Sequence, residues 1–271
     1  MTTLKAGCQT YTWEMLGAAW RGSVDDMLDA VAASGYEGIE ITNSMIREYA
    51  DRPVDFAKAI ARRNLTLSAF AFASSAGLTD PAARPVEIDG AAAALRFVAN
   101  FPDAVLALGG ASAPDRNDLD RKIGFAADFY NEVGRLGKKA GVRVAFHPHS
   151  HHGSIFESRD EYERIMKHTD PELVGWNPDT GHIVRGGQNL IDTLRTFASR
   201  IIHVHLKDAD ANNNWQPLGK GVCDIPAVLD FLEKDIGYRG WVVGEEESAD
   251  ARKDQIAAIR WNREYLTSLG R

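Results

Sequence analysis

The sequence predicts an α/β protein in which residues 1–271 form a single-domain (β/α)8 TIM barrel. Short apolar runs alternate with longer segments of helical period, and this pair recurs eight times along the chain. The length of 271 residues suits the roughly 250 residues typical of such a barrel. No Pro/Ser-rich linker or charge block interrupts the alternation, which favours one domain. A doubly wound open sheet is the alternative that the same alternation allows.

The predicted strands are short and apolar, and polar or glycine-rich residues follow each of them. They cover residues 6–12, 38–42, 65–73, 104–108, 142–147, 173–176, 201–206 and 240–244. Strands that alternate with helices in this way run parallel and are joined by right-handed crossovers. We therefore expect the carboxyl ends of all eight strands at one rim of the barrel.

Helix boundaries are indicated by capping residues. The segment 23–35 opens with Ser23 as N-cap and closes with a glycine. The longest helices are predicted at 118–140 and 249–269. Asp224 marks the start of the helix that follows the seventh strand.

The composition excludes several classes of protein. The chain has 31 basic and 38 acidic side chains, a formal net charge of −7, whereas a nucleic-acid-binding surface favours basic residues. A hydrophobic content of 44% with 25% charged residues is typical of a globular domain. No signal peptide or long apolar window is visible, so we expect no membrane partner. Two cysteines, Cys8 and Cys223, favour free thiols in a reducing compartment, and we expect a cytoplasmic protein.

Polar side chains are concentrated at the ends of the last four predicted strands, where the active site of a barrel forms. Strand by strand, they are His147, His149, His151, His152 and Glu157; Asn177, Asp179 and His182; His203, His205 and Lys207; and Glu245, Glu246 and Glu247. Because side chains alternate along a strand, His203 shares a face with His205, and Glu245 shares one with Glu247. Such a concentration of His, Asp and Glu indicates a metal or catalytic site.

A divalent cation is the ligand that this residue set predicts. Side chains at one height of a closed barrel converge on its axis, which would bring Asp179, His205 and Glu245 together with one residue of the fifth strand. Mixed imidazole and carboxylate ligation suits Mn²⁺, Co²⁺, Zn²⁺ or Fe²⁺ and suits Mg²⁺ less well. Glu247 stays an alternative to Glu245, since both point the same way.

Several motifs resemble those of the sugar phosphate isomerase/epimerase superfamily, whose members have a xylose isomerase-like TIM barrel. The motifs are Gly-Cys-Gln-Thr-Tyr-Thr-Trp at 7–13, His-Pro-His at 147–149, Asp-Thr-Gly-His-Ile at 179–183, His-Val-His-Leu-Lys-Asp at 203–208 and Gly-Trp-Val-Val at 240–243. The resemblance covers essentially the whole chain and is greatest to the inosose dehydratase-like branch. The motif spacing is typical of the superfamily rather than of one reaction.

The resemblance implies a divalent metal held at the ends of strands five to eight. By motif, Asp179, His205 and Glu245 resemble the ligands of the family. His182 and Lys207 resemble residues that contact the substrate.

The fifth strand departs from the pattern of much of the superfamily. A ligating glutamate is common there near the position that His147 occupies in this sequence. Histidine at that position resembles the dehydratase-like branch, and we assign His147 as the fourth ligand. His149 and Glu157 remain alternatives for that ligand.

The expected reaction follows from the chemistry of a cation beside a ketone. Such a cation acidifies the proton on the neighbouring carbon and stabilises the enediolate that forms. The expected catalytic residues are His149, His182 and Glu157 as acids or bases and Lys207 as a stabiliser of negative charge.

The resemblance implies a metal-dependent carbon–oxygen lyase, a dehydratase, that acts on a keto-cyclitol or a 3-keto-sugar or its glycoside by β-elimination. Mn²⁺ or Co²⁺ is the expected cofactor, with Mg²⁺, Zn²⁺ and Fe²⁺ as alternatives. The alternative reaction is that of a ketose 3-epimerase or an aldose–ketose isomerase.

Polar and aromatic residues near the expected rim are candidates for binding a sugar or cyclitol, because aromatic rings can stack on the C–H faces of sugars. They are Gln9, Tyr11, Trp13, Glu40, Trp176 and Arg185, with Trp215 as a further aromatic candidate. The glycine-rich segment 218–221 has no P-loop pattern and predicts a turn rather than a phosphate site.

Two other classes of function are alternatives for such a barrel. Endonuclease IV is similar in barrel and metal motifs, but DNA repair needs a basic surface and metal ligands from early strands, and no histidine precedes His147. A non-enzymatic barrel that binds a sugar or serves as a partner subunit is the second alternative. The aromatic C-terminal helix, with Trp261 and Tyr265, is compatible with a homo-oligomer.

Overall fold

The computed structural model describes residues 4–150 and 153–271, so His151 and His152 lie outside the described residues. This part of the chain contains ten strands. They are β1 (Lys5–Gln9), β2 (Gly38–Thr42), β3 (Thr66–Phe72), β4 (Val105–Gly109), β5 (Arg143–His147), β6 (Val174–Trp176), β7 (Val204–Leu206), β8 (Asp208–Ala209), β9 (Trp215–Gln216) and β10 (Trp241–Gly244). Eight of them confirm the predicted strands, whereas the two-residue strands β8 and β9 were not predicted.

Helices separate the eight longer strands, as the alternation predicts. They are α1 (Tyr11–Glu14), α2 (Val24–Ala33), α3 (Pro53–Ala61), α4 (Arg84–Val98), α5 (Leu119–Ala140), α6 (Arg159–His168), α7 (Thr180–Arg185), α8 (Leu190–Thr196), α9 (Ile225–Asp230) and α10 (Gln255–Ser268). A π-helical turn over Phe231–Asp235 continues α9.

The chain divides into two compact units. The first comprises Met1–Ser68 and His203–Arg271, and the second comprises Ala69–Ile202. The division falls within β3 and just before β7.

In the first unit, strands β2, β1, β10 and β7 lie side by side in that order, all parallel. The register places Gln9 beside Glu40 and Val243 beside His205. Parallel strands in register end at one edge of their sheet. The polar residues that end these strands therefore lie at a common edge of the first unit.

In the second unit, β3, β4, β5 and β6 are likewise parallel neighbours. Leu108 lies beside Phe72 and Phe146, and Phe146 lies beside Trp176. A small apolar cluster consists of Ala69, Val105, Ala107 and Ala145. The strand β5 ends at His147, so the histidine-rich segment begins where the sheet ends.

Capping explains where the structure departs from the predicted bounds. The predicted helix 249–269 begins only at Gln255, because the Asp254 side chain accepts a hydrogen bond from Ala257 N. The predicted strand 6–12 ends at Gln9, since Thr10 O already accepts the first hydrogen bonds of a helical turn. By contrast, Ser23 caps α2 and Asp224 caps α9, as predicted.

Among the described residues, no helix has both the length and the apolar composition needed to cross a bilayer. Cys8 and Cys223 are both buried free thiols, as expected. Burial raises the pKa of the Cys8 thiol, and the nearby Glu246 carboxylate raises it further. Both effects favour the protonated thiol over the reactive thiolate.

Candidate active site

Six residues of the first unit, all of them buried except the partly exposed Glu247, form a set that we call the acid-rich group. Its members are Glu40, His203, His205, Lys207, Glu245 and Glu247. They lie within β2 and β7 or close to the ends of β7 and β10. Carboxylates and imidazoles alternate through the group, so each buried charge has a partner of opposite sign.

Glu40 orients two imidazoles. Its Oε2 atom lies 2.8 Å from His203 Nε2 and 2.8 Å from His205 Nε2, and none of the three side chains is exposed. Burial by itself would raise the pKa of the Glu40 carboxyl. The positive charge of His205 and the two imidazole hydrogen bonds outweigh burial and lower that pKa well below its usual value. Glu40 is thus a buried carboxylate that holds His205 in place, which differs from the substrate contact expected from the sequence.

The other nitrogen of His205 faces a second carboxylate. His205 Nδ1 lies 2.6 Å from Glu245 Oε2. Burial opposes a charge on His205, but Glu40 and Glu245 together raise the pKa of its imidazole to about 10. A carboxylate–imidazole–carboxylate chain results, in which Glu40 sets the ring orientation and Nδ1 points toward Glu245.

Lys207 links the two acids that the sequence could not separate. Its Nζ lies 3.1 Å from Glu245 Oε1 and also contacts Glu247 Oε1. Burial and the nearby Glu245 carboxylate together raise the pKa of Glu247 to about 7, although the charge of Lys207 opposes this rise. The indole ring of Trp215 covers the ammonium, with 4.2 Å between Nζ and the ring centroid. Lys207 is 1% exposed, so its charge acts in a dry environment.

The segment after β1 lies beside this group. The hydroxyl of Tyr11 is close enough that burial, then Glu247 and Glu245, raise its pKa. The Gln9 side-chain oxygen accepts a hydrogen bond from Tyr11 N. Trp13 is buried. Of these three residues, Tyr11 is the one whose side chain is partly exposed.

A second set, the imidazole group, lies in the second unit and consists of His147, His149 and His182. Each of the three offers a ring nitrogen within 4.8 Å of the others. The His149 ring centroid lies 4.7 Å from that of His147 and 5.0 Å from that of His182. His147 and His182 are buried, whereas His149 is partly exposed.

Backbone contacts set different tautomers in this group. His147 Nδ1 lies 3.1 Å from Asn177 O, and a carbonyl can only accept, so Nδ1 carries the proton. His182 Nδ1 instead accepts a hydrogen bond of 3.0 Å from Ser150 N, which can only donate. The proton of neutral His182 therefore sits on Nε2. His147 presents Nε2 as a base or ligand, and His182 presents Nε2–H as a donor.

Asp179 begins α7 and serves as its N-cap. Asp179 Oδ1 accepts a hydrogen bond of 2.7 Å from His182 N, and the side chain is buried. Burial, then the negative charges of Asp179 and Glu157, raise the pKa of Tyr162 well above its ordinary value. Both carboxylates therefore lie near this buried phenol. Arg185, in the last turn of α7, is partly exposed.

Trp176 does not lie where a substrate could reach it. Its side chain is fully buried. Its ring packs edge-to-face on Tyr162 and Phe197, with centroids 6.0 Å and 5.7 Å away. The apolar area of an indole makes such core packing favourable. The expected stacking role is therefore corrected to a structural one.

Two supporting residues were not assigned a role from the sequence. His203 shares Glu40 with His205, and the alternation of side chains had already placed the two histidines on one face. Ser150 sets the tautomer of His182 through its backbone, and no sequence signal reports a backbone contact. Buried polar strand residues require partners, which is the signal that could have linked Glu40 to the histidines.

A family model described as xylose isomerase-like TIM barrel matches residues 28–269. The chain belongs to this family. The family explains the arrangement above, because its active sites form at the carboxyl ends of barrel strands. The predicted (β/α)8 TIM-barrel fold is confirmed.

Curated relatives include an inosose dehydratase of Clostridium beijerinckii, 30% identical over 158 residues, which are 52% of this chain and 52% of the relative. The chain spans about half the length of the curated relatives it matches. A crystal structure of the IolI protein with a binding zinc atom has a TM-score of 0.83 at 17% identity, with 98% of both chains covered. The apo structure of 3-keto-D-glucoside 4-epimerase, YcjR, from E. coli has a TM-score of 0.77 at 18% identity, again with 98% of both chains covered. At these identities the two structures show the fold.

Proposed function

We propose that this protein is a divalent-metal-dependent dehydratase, a carbon–oxygen lyase, that acts on a keto-cyclitol or a 3-keto-sugar or its glycoside. The observation that carries the proposal is the buried chain from Glu40 through His205 to Glu245, with Lys207 on the same carboxylate. A carboxylate that orients an imidazole toward further acidic ligands is the arrangement found around protein-bound metals. The similarity to inosose dehydratases supports elimination as the reaction.

His147, Asp179, His205 and Glu245 are the proposed ligands of one divalent cation. Within each unit the residues fit such a cation. In the second unit, the contact of Nδ1 with Asn177 O leaves His147 Nε2 as the ring nitrogen that can bind a metal. In the first unit, Glu40 holds His205 with Nδ1 toward Glu245. Mn²⁺ or Co²⁺ is the proposed cation, and Mg²⁺, Zn²⁺ and Fe²⁺ are the alternatives. When bound, the cation supplies Lewis-acid polarisation of a substrate ketone.

The remaining residues supply proton transfer and charge stabilisation. His149 or Glu157 removes the proton from the carbon next to the ketone, and the electron pair of that C–H bond forms the new carbon–carbon double bond. His182, whose Nε2 carries a proton in the neutral ring, donates to the departing β-oxygen, which leaves as water or an alcohol. Lys207 stabilises negative charge that develops on oxygen.

Substrate binding is proposed for the partly exposed residues near these groups. Partly exposed Tyr11 and Arg185 are proposed to bind substrate hydroxyls, and Gln9 accepts a hydrogen bond from Tyr11 N. Buried Trp13 is proposed as the wall behind Tyr11. A pocket with few placed polar groups and an aromatic wall is typical of sugar-sized ligands.

The proposal is tested by incubating metal-loaded protein in D₂O with 2-keto-inositol, 3-keto-glucosides and ordinary ketohexoses, and by recording proton NMR after the metal is removed. Elimination predicts loss of the proton next to the ketone and a new vinylic resonance. Deuterium uptake with a stereoisomer or aldose as product would establish the epimerase or isomerase instead. No exchange with any substrate would contradict both reactions and favour a binding role. Protein treated with a chelator is the matched control.

We also propose a cytoplasmic, small-molecule enzyme without a nucleic-acid or membrane partner, supported by two buried free thiols and a net charge of −7. Size-exclusion chromatography with light scattering tests for a homo-oligomer. A gel shift with abasic duplex DNA at low salt tests the DNA-repair alternative, and a shift would contradict the proposal.

A further inference from the structure

The segment that follows Lys207 is held together by backbone hydrogen bonds to one buried carboxylate. Asp208 Oδ1 accepts hydrogen bonds from Ala209 N at 2.9 Å and Cys223 N at 3.0 Å. Asp208 Oδ2 accepts from Gly219 N at 3.0 Å and Gly221 N at 2.9 Å. One side chain thus joins both ends of the excursion 208–223. Because the Asp208 side chain is unexposed, these bonds compensate for burying its charge.

The glycines of this segment fit the carboxylate closely. A Cβ atom at Gly221 would overlap Asp208 Oδ1 and Ala209 O, and Gly219 has a φ of +79° with the ring of Tyr265 against it. The backbone N–H groups that a glycine-rich turn could offer to a phosphate are therefore occupied by Asp208. This finding agrees with the turn expected for residues 218–221.

A hairpin lies within the segment 208–223. Strand β8 pairs with β9 in antiparallel fashion, with Asp208 opposite Gln216 and Ala209 opposite Trp215. The tip is closed by Asp210, whose side chain accepts hydrogen bonds from Asn212 N and Asn214 N. A two-residue pair of strands is too short to be stable alone. The bonds of Asp208 therefore determine where Trp215 lies.

The hairpin brings Trp215 to the acid-rich group. The Trp215 ring lies 4.2 Å from Lys207 Nζ, and Trp215 is partly exposed whereas Lys207 is buried. The ring therefore covers the ammonium and is itself partly exposed. Within the dipeptide 207–208, one side chain joins the acid-rich group and the next holds the loop.

We infer that Asp208 is a positioning residue that holds Trp215 as a specificity-determining wall over Lys207, and that Trp215 stacks on the C–H face of the substrate. This inference rests on the proposed function, since Lys207 and Trp215 are placed in its substrate site. An aromatic ring fixed beside a buried cation favours a ligand with an apolar C–H face next to an oxygen that carries negative charge. Keto-sugars and keto-cyclitols have this chemistry.

The test compares Asp208→Asn with Trp215→Leu and with the double variant. Asparagine keeps the size of the side chain but presents an NH₂ group to two of the backbone donors, so two of the four hydrogen bonds to residue 208 are lost. We expect each single variant to raise KM on the order of tenfold, with kcat changed less than about twofold. The double variant should match Trp215→Leu, because the two residues act through one contact. An unchanged KM in Asp208→Asn, or effects that multiply in the double variant, would overturn the inference.

Asp224→Asn is the matched control. It removes the same charge at an exposed N-cap of α9, where asparagine caps equally well, so KM should not change. If Asp208→Asn fails to fold, Gly221→Ala disrupts the same hydrogen bonds to Asp208 with the carboxylate intact and should raise KM similarly.

Tryptophan fluorescence separates this inference from the proposed function. The emission of Trp215 is obtained by subtracting, from the spectrum of each protein, the spectrum of the same protein carrying Trp215→Leu. This emission should shift to longer wavelength and be quenched more by acrylamide in Asp208→Asn but not in Asp224→Asn. This readout needs no turnover, so it decides the positioning role even if no keto-sugar is converted. An emission identical in wild type and Asp208→Asn would contradict the positioning role.

Discussion

The acid-rich group of the first unit and the imidazole group of the second are held by different interactions. Glu40, His205 and Lys207 are fixed by contacts between charged side chains. His147 contacts the backbone carbonyl of Asn177, and His182 Nδ1 contacts both the backbone N–H and the hydroxyl of Ser150. Side-chain networks respond strongly when one member is removed, because a buried charge is left behind. Backbone contacts instead survive most substitutions nearby.

The comparison also separates chemical roles. In the acid-rich group every imidazole nitrogen with a described contact faces a carboxylate, which favours ligation and charge stabilisation. In the imidazole group the backbone sets one ring as a donor and another as an acceptor. That division is what general acid–base catalysis requires. The predictions below test whether the two groups differ in this way.

Lys207→Met should have the largest effect on catalysis. It removes the ammonium between Glu245 and Glu247 and should lower kcat by about 10²–10³, the usual loss for one donor to a developing oxyanion. Steady-state kinetics on the keto-sugar substrate measure it. Lys220→Met is the control, because Lys220 lies over the Trp261 ring instead. An equal loss in both variants would contradict the role of Lys207.

His182→Gln should lower kcat by about 10², since it removes a general acid while Asp179 still caps α7. Ser150→Ala keeps the backbone N–H that sets the tautomer and should stay within about threefold of wild type. Nitrogen-15 NMR of the imidazole should show the proton on Nε2 in both wild type and Ser150→Ala. A proton on Nδ1 would refute the tautomer assignment.

Glu40→Gln should weaken metal binding by about 10–100-fold, as is usual when a residue that orients a metal-binding histidine is lost. Competition with a fluorescent chelator measures the affinity. Glu87→Gln is the control, because Glu87 is also a buried carboxylate but bonds to Ser74 and Leu78 in the second unit. Equal metal affinities in wild type and Glu40→Gln would contradict the orienting role.

Trp176→Phe should have the smallest effect on function. It should destabilise the protein by about 1–2 kcal/mol, because the smaller ring leaves space against Tyr162 and Phe197. Denaturant unfolding measures the free energy. KM should stay within about twofold of wild type, and a large rise in KM at full stability would restore the stacking role.

Most of the fold could be predicted from the sequence, because each of the eight parallel strands is an apolar run of a few residues bounded by polar residues. The departures come from local hydrogen bonds. Thr10 begins a helical turn and Asp254 delays α10, and both choices depend on which neighbour accepts a bond. The hairpin of β8 and β9 was missed, since its stability comes from Asp208 rather than from apolar residues.

The candidate site was predicted less completely. Clustering of His, Asp and Glu at strand ends identified the residue types, and alternation placed His203 with His205. Sequence could not show that Glu40 turns inward to the histidines or that Trp176 is core, because a strand residue's face depends on register. It also could not assign tautomers, which the backbone of Asn177 and Ser150 sets.

The proposed function depends most on the proposal that one divalent cation binds to His147, Asp179, His205 and Glu245. Plasma emission spectroscopy on dialysed protein measures it directly, with wild type compared against His205→Ala and Asp179→Ala and with Glu87→Gln as control. We expect about one equivalent of Mn²⁺ or Co²⁺ per chain in wild type and in the control, and loss of it in both alanine variants. The same metal content in all four proteins would contradict it.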